Sequence, residues 1–448
     1  MSWSSHFSAD RERSRREQLA AWLHARRAWR LSIIIAVAVL GGLVAAAFAR
    51  LSDEAMALHE RLYAMAPWAT LVLLPVGFAL CVWITQRFAP EAAGSGIPQV
   101  IAAAEKRWRG RWGGQRVTIR TAIWKVALSA GLLVCGASIG REGPTVQVVA
   151  GVMRTLTRGL RGGAGRRAII IAGGAAGVAA AFNTPIAGVV FAVEELAKSF
   201  EKRTHTTVIL VVVVAGLTSY AVQGDYAYFG TLTGETALRS AWLSAPLIGA
   251  VGGLFGGIFS RLLAAVLGTG DNPVARYRRA RPVMFGFLCG LVAAAVAVIS
   301  GGLTFGAGYE EAKSLLQGHS DQGLIFAACK WVASLAAAVA GVPGGIFAPS
   351  LATGAGIGAA FAHMGPLFAG RDSVVLGMTG YLSGVVQAPL TSAVILMEMT
   401  REPGLVGPLL LSALVGRWVS GFVMPKPIYH VLSASWRVSP APTPAPAA

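Results

Sequence analysis

The sequence predicts an all-α polytopic membrane protein made of two inverted-topology repeats with broken, re-entrant helices. Three observations carry that expectation. The 448 residues are 54% hydrophobic and only 13% charged, about half the charge of a soluble domain. The stretch Asn183 to Glu195 reads onto Gln387 to Met399, with 204 residues between equivalent positions. Three glycine-then-proline stretches interrupt apolar sequence, and paired interruptions in two halves point to inverted-repeat transporters.

Taken in order, residues 1–30 are arginine-rich and are expected to form a basic, amphipathic cytoplasmic helix. They are too charged, and too long before the first span, for a cleaved secretory signal. Apolar runs able to cross a ~30 Å hydrocarbon core then recur, clearest at 31–49, 68–84, 206–222, 241–267, 282–300 and 405–423. The first repeat is assigned to 31–223, a linker to 224–239, and the second repeat with a final helix to 240–435. Residues 436–448, rich in proline and alanine, are expected to be a flexible tail, and no soluble regulatory domain is expected. The net charge of +18 sits in loops, as at 105–120. That pattern fits positive-inside topology and lipid headgroup contact rather than nucleic acid, and it places the N-terminus in the cytoplasm.

Within the self-similar stretches Pro185 matches Pro389 and Glu194 matches Glu398, whereas Glu195 faces Met399. A glutamate shared by both halves suits a structural role such as capping main-chain N–H groups. One present in a single half suits a specialised proton step. Cys81, Cys135, Cys289 and Cys329 all lie in apolar segments and read as small hydrophobes. The seven histidines form no ligand pair, so neither a metal nor a cofactor is expected. An intramembrane hydrolase would need a base near Ser95, and the nearest histidines, His205 and His430, have no evident partner. The chain is not expected to be an enzyme.

The three interrupted stretches are GSGIPQV (94–100), GREGPTVQ (140–147) and GGIFAPSLATG (344–354). Glycine allows main-chain N–H groups to converge, and proline suits a first helical turn. Unpaired N–H groups at a helix start form an anion site. Between residues 118 and 200 the only carboxylates are Glu142, Glu194 and Glu195, and an ionisable group at membrane depth marks an ion or proton path. Glu142, at a helix start, mimics an anion when charged and carries a proton when neutral. Its alternatives are a pair with Arg141 or a cap. Ser95 alone is an N-cap candidate, Tyr429 alone an interfacial aromatic, and Glu195 alone a surface partner of Lys198 or Lys202. Lys125 and Arg154 either raise the local potential or snorkel to the interface.

With these motifs the sequence resembles the CLC chloride channel and transporter family. The segments at 180–196, 388–400 and 425–432 resemble it as well. The resemblance implies the CLC-type fold, a homodimer with one pathway per subunit, and chloride and protons as the transported species. It places Ser95 and Tyr429 on a central anion through their hydroxyls, and Ile346 and Phe347 through their amides. Gly96, Ile97, Gly140, Arg141 and Gly143 join the anion-binding set. Glu142 is the implied gate and Glu195 the inward-facing proton-transfer glutamate. The sequence departs from the family in AAAVAGVP before GGIFAP, and in Gln99 after GSGIP; neither removes a coordinating group. Ser95 argues for chloride over nitrate, and the intact motif argues against fluoride. The expected function is chloride/proton antiport in a bacterial inner membrane, with a passive glutamate-gated chloride channel as the alternative.

Overall fold

The computed structural model describes residues 3–105, 116–160, 165–197, 202–224, 229, 238–319, 322–365, 367–368 and 370–436. Most of the linker at 224–239 and all but the first residue of the 436–448 tail lie outside them.

The chain begins with α1 (Trp3–Met65), which carries the basic segment and the first span as one continuous helix. No glycine precedes Gly41 and no proline precedes Pro67, so nothing local stops it. The rest of the first half comprises α2 (Thr70–Phe88), α3 (Ile97–Ala104), α4 (Ile119–Val134), α5 (Glu142–Leu156), α6 (Arg166–Phe182), α7 (Pro185–Phe191) and α8 (Lys202–Gln223). A π-helical turn, Ala192–Ala197, follows α7 and carries Glu194 and Glu195. The second half comprises α9 (Leu238–Leu267), α10 (Pro273–Ala280), α11 (Pro282–Ile299), α12 (Tyr309–Leu316), α13 (Gly323–Ala340), α14 (Phe347–Ala362), α15 (Gly370–Val386), α16 (Pro389–Thr400), α17 (Val406–Val423) and α18 (Ile428–Ser435).

Among the described residues, seven helices are long and apolar enough to span a bilayer, including Gly323–Ala340. Their packing relies on small residues, which let backbones approach where lipid offers no hydrophobic drive. A Cβ on Gly252 would lie 2.7 Å from the Tyr381 nitrogen, and one on Gly256 2.8 Å from the Tyr381 carbonyl oxygen. Helices α9, α15 and α17 therefore close on one another almost backbone to backbone.

The two halves repeat in three dimensions. Helices α7 and α16 both begin at a proline, two residues after a non-glycine residue with positive φ: Asn183 at 58° and Gln387 at 59°. Glu194 accepts hydrogen bonds from the amides of Leu390 (3.1 Å) and Thr391 (2.7 Å). Glu398 accepts them from Ile186 (3.1 Å) and Ala187 (2.6 Å). Reciprocity of this kind is the signature of a two-fold relation: each glutamate caps the other repeat's helix. The packing agrees, since α3 meets α5 and α6 as α12 meets α14 and α15.

Replacing Glu398 by alanine leaves two helix-start amides without their acceptor. A loss of about 2 kcal/mol is expected, the scale of hydrogen bonds to a charged group. It is read as a lower melting temperature in detergent, with Glu194→Ala matching it. An unchanged melting curve for both variants would contradict reciprocal capping.

Candidate anion site and proton stations

The three glycine–proline motifs meet at one place, and main-chain hydrogen bonds join them. Gly140 and Gly345 form an antiparallel bridge, with N–H to O distances of 2.8 Å and 2.7 Å in the two directions. Gly94 donates to the Gly341 carbonyl (2.9 Å), and Gly344 donates to that of Gly94 (3.3 Å). The approach leaves no room for side chains: a Cβ on Gly143 would lie 2.5 Å from Ser95 Oγ and 2.9 Å from the Ser95 carbonyl oxygen. Gly96 adopts φ +97°, a left-handed turn that glycine enters freely, and α3 starts at the next residue. Helices α3, α5 and α14 thus start at one locus, with GSGIP, GREGP and GGIFAP at their heads.

Buried cations hold the loops that feed these starts. Lys125, fully buried on α4, donates from Nζ to the carbonyls of Ala92 (2.6 Å) and Gly94 (2.6 Å). It neither snorkels nor faces open solvent. Lys330 on α13 makes the same clamp in the other repeat, on the carbonyls of Thr304 (3.0 Å), Phe305 (3.2 Å) and Gly306 (2.8 Å). Arg154 donates to the Val117 carbonyl at 2.6 Å. The Arg141 guanidinium turns away to α1, where it meets the Ala49 carbonyl (2.7 Å) and Asp53 Oδ1 (2.5 Å). Any anion contact by Arg141 therefore falls to its main chain.

Two hydroxyls are aimed into the locus. Ser95 Oγ and Tyr429 Oη are both buried with no hydrogen-bond partner among the described residues, although the two side chains lie near one another. Tyr429, on α18, stacks face to face on Phe347 with centroids 5.9 Å apart and planes 8° from parallel. Phe182 and Phe191 pack on the same phenyl ring. Buried hydroxyls without partners are rare and costly, and two donors beside clustered helix starts fit an anion. Ile97, Ile346 and Phe347 sit at or beside those starts and are buried.

Glu142 is 1% exposed. Its Oε2 is buried with no hydrogen-bond partner among the described residues, and a Cβ on Gly140 would meet this oxygen together with Ala348 and Pro349, in the first turn of α14. Oε1 accepts a 2.6 Å hydrogen bond from the hydroxyl of Tyr309. The side chain thus lies across the start of the facing helix, where an anion would bind. Glu195 stands apart on the π-helical turn, 2% exposed, with Oε1 3.5 Å from His430 Nε2. Tyr429 lies within electrostatic reach of both glutamates. His430 also lines a cavity of about 540 Å³ together with Glu105, Arg167 and Lys426. Lys198 and the side chain of Lys202 lie outside the described residues.

The matches to known proteins agree with this geometry. A model of the voltage gated chloride channel family matches residues 77–421. The chain belongs to that family. It is 32% identical over 440 residues to the H(+)/Cl(-) exchange transporter ClcA of Yersinia pestis bv. Antiqua (strain Angola), covering 90% of this chain and 87% of that one. ClcA of Yersinia pseudotuberculosis serotype O:3 (strain YPIII) matches to the same degree. The crystal structure of a slow cyanobacterial Cl-/H+ antiporter superposes with TM-score 0.77 at 27% identity, over 91% of this chain and 98% of that one. A CLC-type fluoride/proton antiporter shares the fold, with TM-score 0.74 at 20% identity over 88% and 96% of the two chains.

Three residues around this candidate site are not assigned to it by the sequence: Tyr309, Lys330 and His430, the last noted there only as a histidine without an evident partner. A faint signal exists for two of them. GAGY (306–309) repeats the glycine spacing of GSGI (94–97), and a lysine in an apolar segment follows each, Lys125 31 residues after Gly94 and Lys330 24 residues after Gly306. Gly306 and Gly308 have φ +55° and +80°, as Gly94 and Gly96 have +62° and +97°. His430 gives no such sign, because its partner lies far away in sequence.

Substituting Lys125 by methionine leaves two well-bonded buried carbonyls without a donor. A destabilisation of roughly 3 kcal/mol is expected, seen as an earlier thermal transition, with Lys330→Met similar. A melting temperature within error of wild type would show that these loops hold themselves.

Proposed function

We propose that this chain is a secondary active transporter that exchanges chloride for protons across a membrane. The observation that carries the reading is the Glu142 carboxylate, lying at the α14 start beside two unpartnered buried hydroxyls. The names of the ClcA relatives and of the cyanobacterial antiporter support it.

The chemistry follows from competition for one place. Charged Glu142 occupies a helix-start anion position. A proton removes its charge and with it the reason to stay, so the side chain leaves and chloride enters. Ser95 and Tyr429 donate their hydroxyls to that chloride, and main-chain amides at Gly96, Ile97, Ile346 and Phe347 complete the cradle, with Gly140, Arg141 and Gly143 shaping it. When the proton departs, the carboxylate returns and displaces the anion. Neither ion completes a passage without the other's step, which is the requirement for exchange.

The second proton station is Glu195. Its pairing with His430, itself at the wall of the 540 Å³ cavity, gives a proton a route from water to a buried carboxylate. That route favours the antiporter over a glutamate-gated channel, which needs only Glu142. We take the cavity to face the cytoplasm, the N-terminus to lie there, and the membrane to be the inner membrane of a bacterium. A homodimer with one pathway per subunit completes the reading, which invokes no cofactor.

In liposomes, a chloride gradient is expected to drive uphill proton movement. Glu142→Ala retains chloride flux and abolishes the proton current. Glu195→Gln retains chloride flux and slows protons on the order of 10²-fold, the scale of a positioned proton carrier. Wild-type chloride flux without proton movement would make the protein a channel.

A further inference from the structure

The second repeat contains a helix start that the chloride-site motifs leave unused. Gly306-Ala307-Gly308-Tyr309 occupies the place that Gly94-Ser95-Gly96-Ile97 holds in the first repeat. The correspondence is structural at every point. Both glycine pairs have positive φ. A buried lysine clamps the three carbonyls before each one, Lys125 at 92–94 and Lys330 at 304–306. Each is followed by an eight-residue helix, α3 or α12, packed on the second and third helices after it in its own half, α5 and α6 or α14 and α15. Because the repeats are inverted, α12 approaches the locus from the membrane face opposite to α3.

The two starts differ in where they carry a hydroxyl. In the first, Ser95 points into the locus without a partner. In the second, Ala307 replaces the serine, and the hydroxyl comes from Tyr309 two residues later. That hydroxyl is already engaged: it donates to Glu142 Oε1 at 2.6 Å. Phe229 packs against the tyrosine ring, with centroids 5.9 Å apart.

We propose that Tyr309 is a positioning residue that latches Glu142 in its charged, anion-mimicking pose and thereby sets the rate and pH range of exchange. The proposal rests on the reading of Glu142 as the gate. A hydrogen bond donated to a carboxylate favours its ionised form, so the latch holds until a proton arrives. Fully charged Glu142 is the state that excludes chloride, and the strength of this one bond governs how often the site opens. Tyr309 and Tyr429 then divide the work, one hydroxyl serving the carboxylate and the other the anion.

Other charged and titratable groups face this pair. Arg141 adjoins Glu142 and is held by Asp53, while Tyr429 lies across the site. Glu310 and Glu311 follow Tyr309 on α12, and Lys330 and Glu60 act on Glu311. None is altered by removing one hydroxyl.

The test is chloride efflux and coupled proton flux from liposomes across the acidic to neutral range, for Tyr309→Phe alone and in a Glu142→Ala background. The phenylalanine variant is expected to turn over faster at neutral pH. Its flux–pH midpoint should move towards alkaline by about one unit, equivalent to tenfold in proton affinity, with coupling retained. In the Glu142→Ala background the same change should be silent. Incorporating 3-fluorotyrosine at position 309 keeps the shape, strengthens the donor and should move the midpoint the other way. An unmoved midpoint in both variants, or an equal effect without Glu142, overturns the latch while leaving the gate intact. Proton coupling that survives Glu142→Ala overturns the gate itself, and the latch with it.

Discussion

Everything at this site depends on a pair of reciprocal main-chain hydrogen bonds, those between Gly140 and Gly345. At membrane depth every backbone polar group needs a partner inside the protein. Two helices that begin there expose amides that helix geometry cannot satisfy. The bridge locks the segments just before those starts and leaves the amides beyond it facing one point. Glycines are required because the chains pass closer than any Cβ permits: a Cβ on Gly345 would sit 2.9 Å from the Gly143 nitrogen. Helix-start amides held in this way are the kind of group that binds a negative charge, which is the basis of the proposed anion site.

Around that point the two repeats share a framework and differ in chemistry. Lysine clamps, helix-start glycines and interlocking glutamate caps occur in both halves, so the scaffold is symmetric. The groups proposed to meet ions are not. Glu142 and Glu195 belong to the first half, Tyr309, Tyr429 and His430 to the second, and Met399 stands where a second copy of Glu195 would be. Symmetry supplies two ways of approaching one buried site, and asymmetry gives each approach a different task. Exchange requires that difference, because two identical approaches would treat chloride and proton alike.

How much of this was legible in sequence depended on the range of the interaction. The helix breaks at Gly96, Gly140 and Gly344 were readable because glycine and proline act locally. The matching of Glu194 with Glu398 was readable as shared capping, since a repeat displays both partners at once. Lys125 was ambiguous: its acceptors are carbonyls about thirty residues away, and no residue type announces a carbonyl. Tyr309 was hidden because GAGY lacks both the serine and the proline that mark GSGIP. His430 and Glu195 meet only through the fold, so a lone histidine was all that the chain displayed. The basic segment at 1–30 read as separate from the first span on charge, whereas helix formation continues through both because nothing interrupts it.

The convergence of three helix starts with Ser95 and Tyr429 is proposed to make an anion site. Anomalous diffraction from crystals grown in bromide addresses it directly, since bromide substitutes for chloride and identifies itself by its scattering. A bromide peak is expected within contact of both Ser95 Oγ and Tyr429 Oη, bounded by the starts of α3 and α14. Well-ordered side chains at that locus with no peak between them would contradict it.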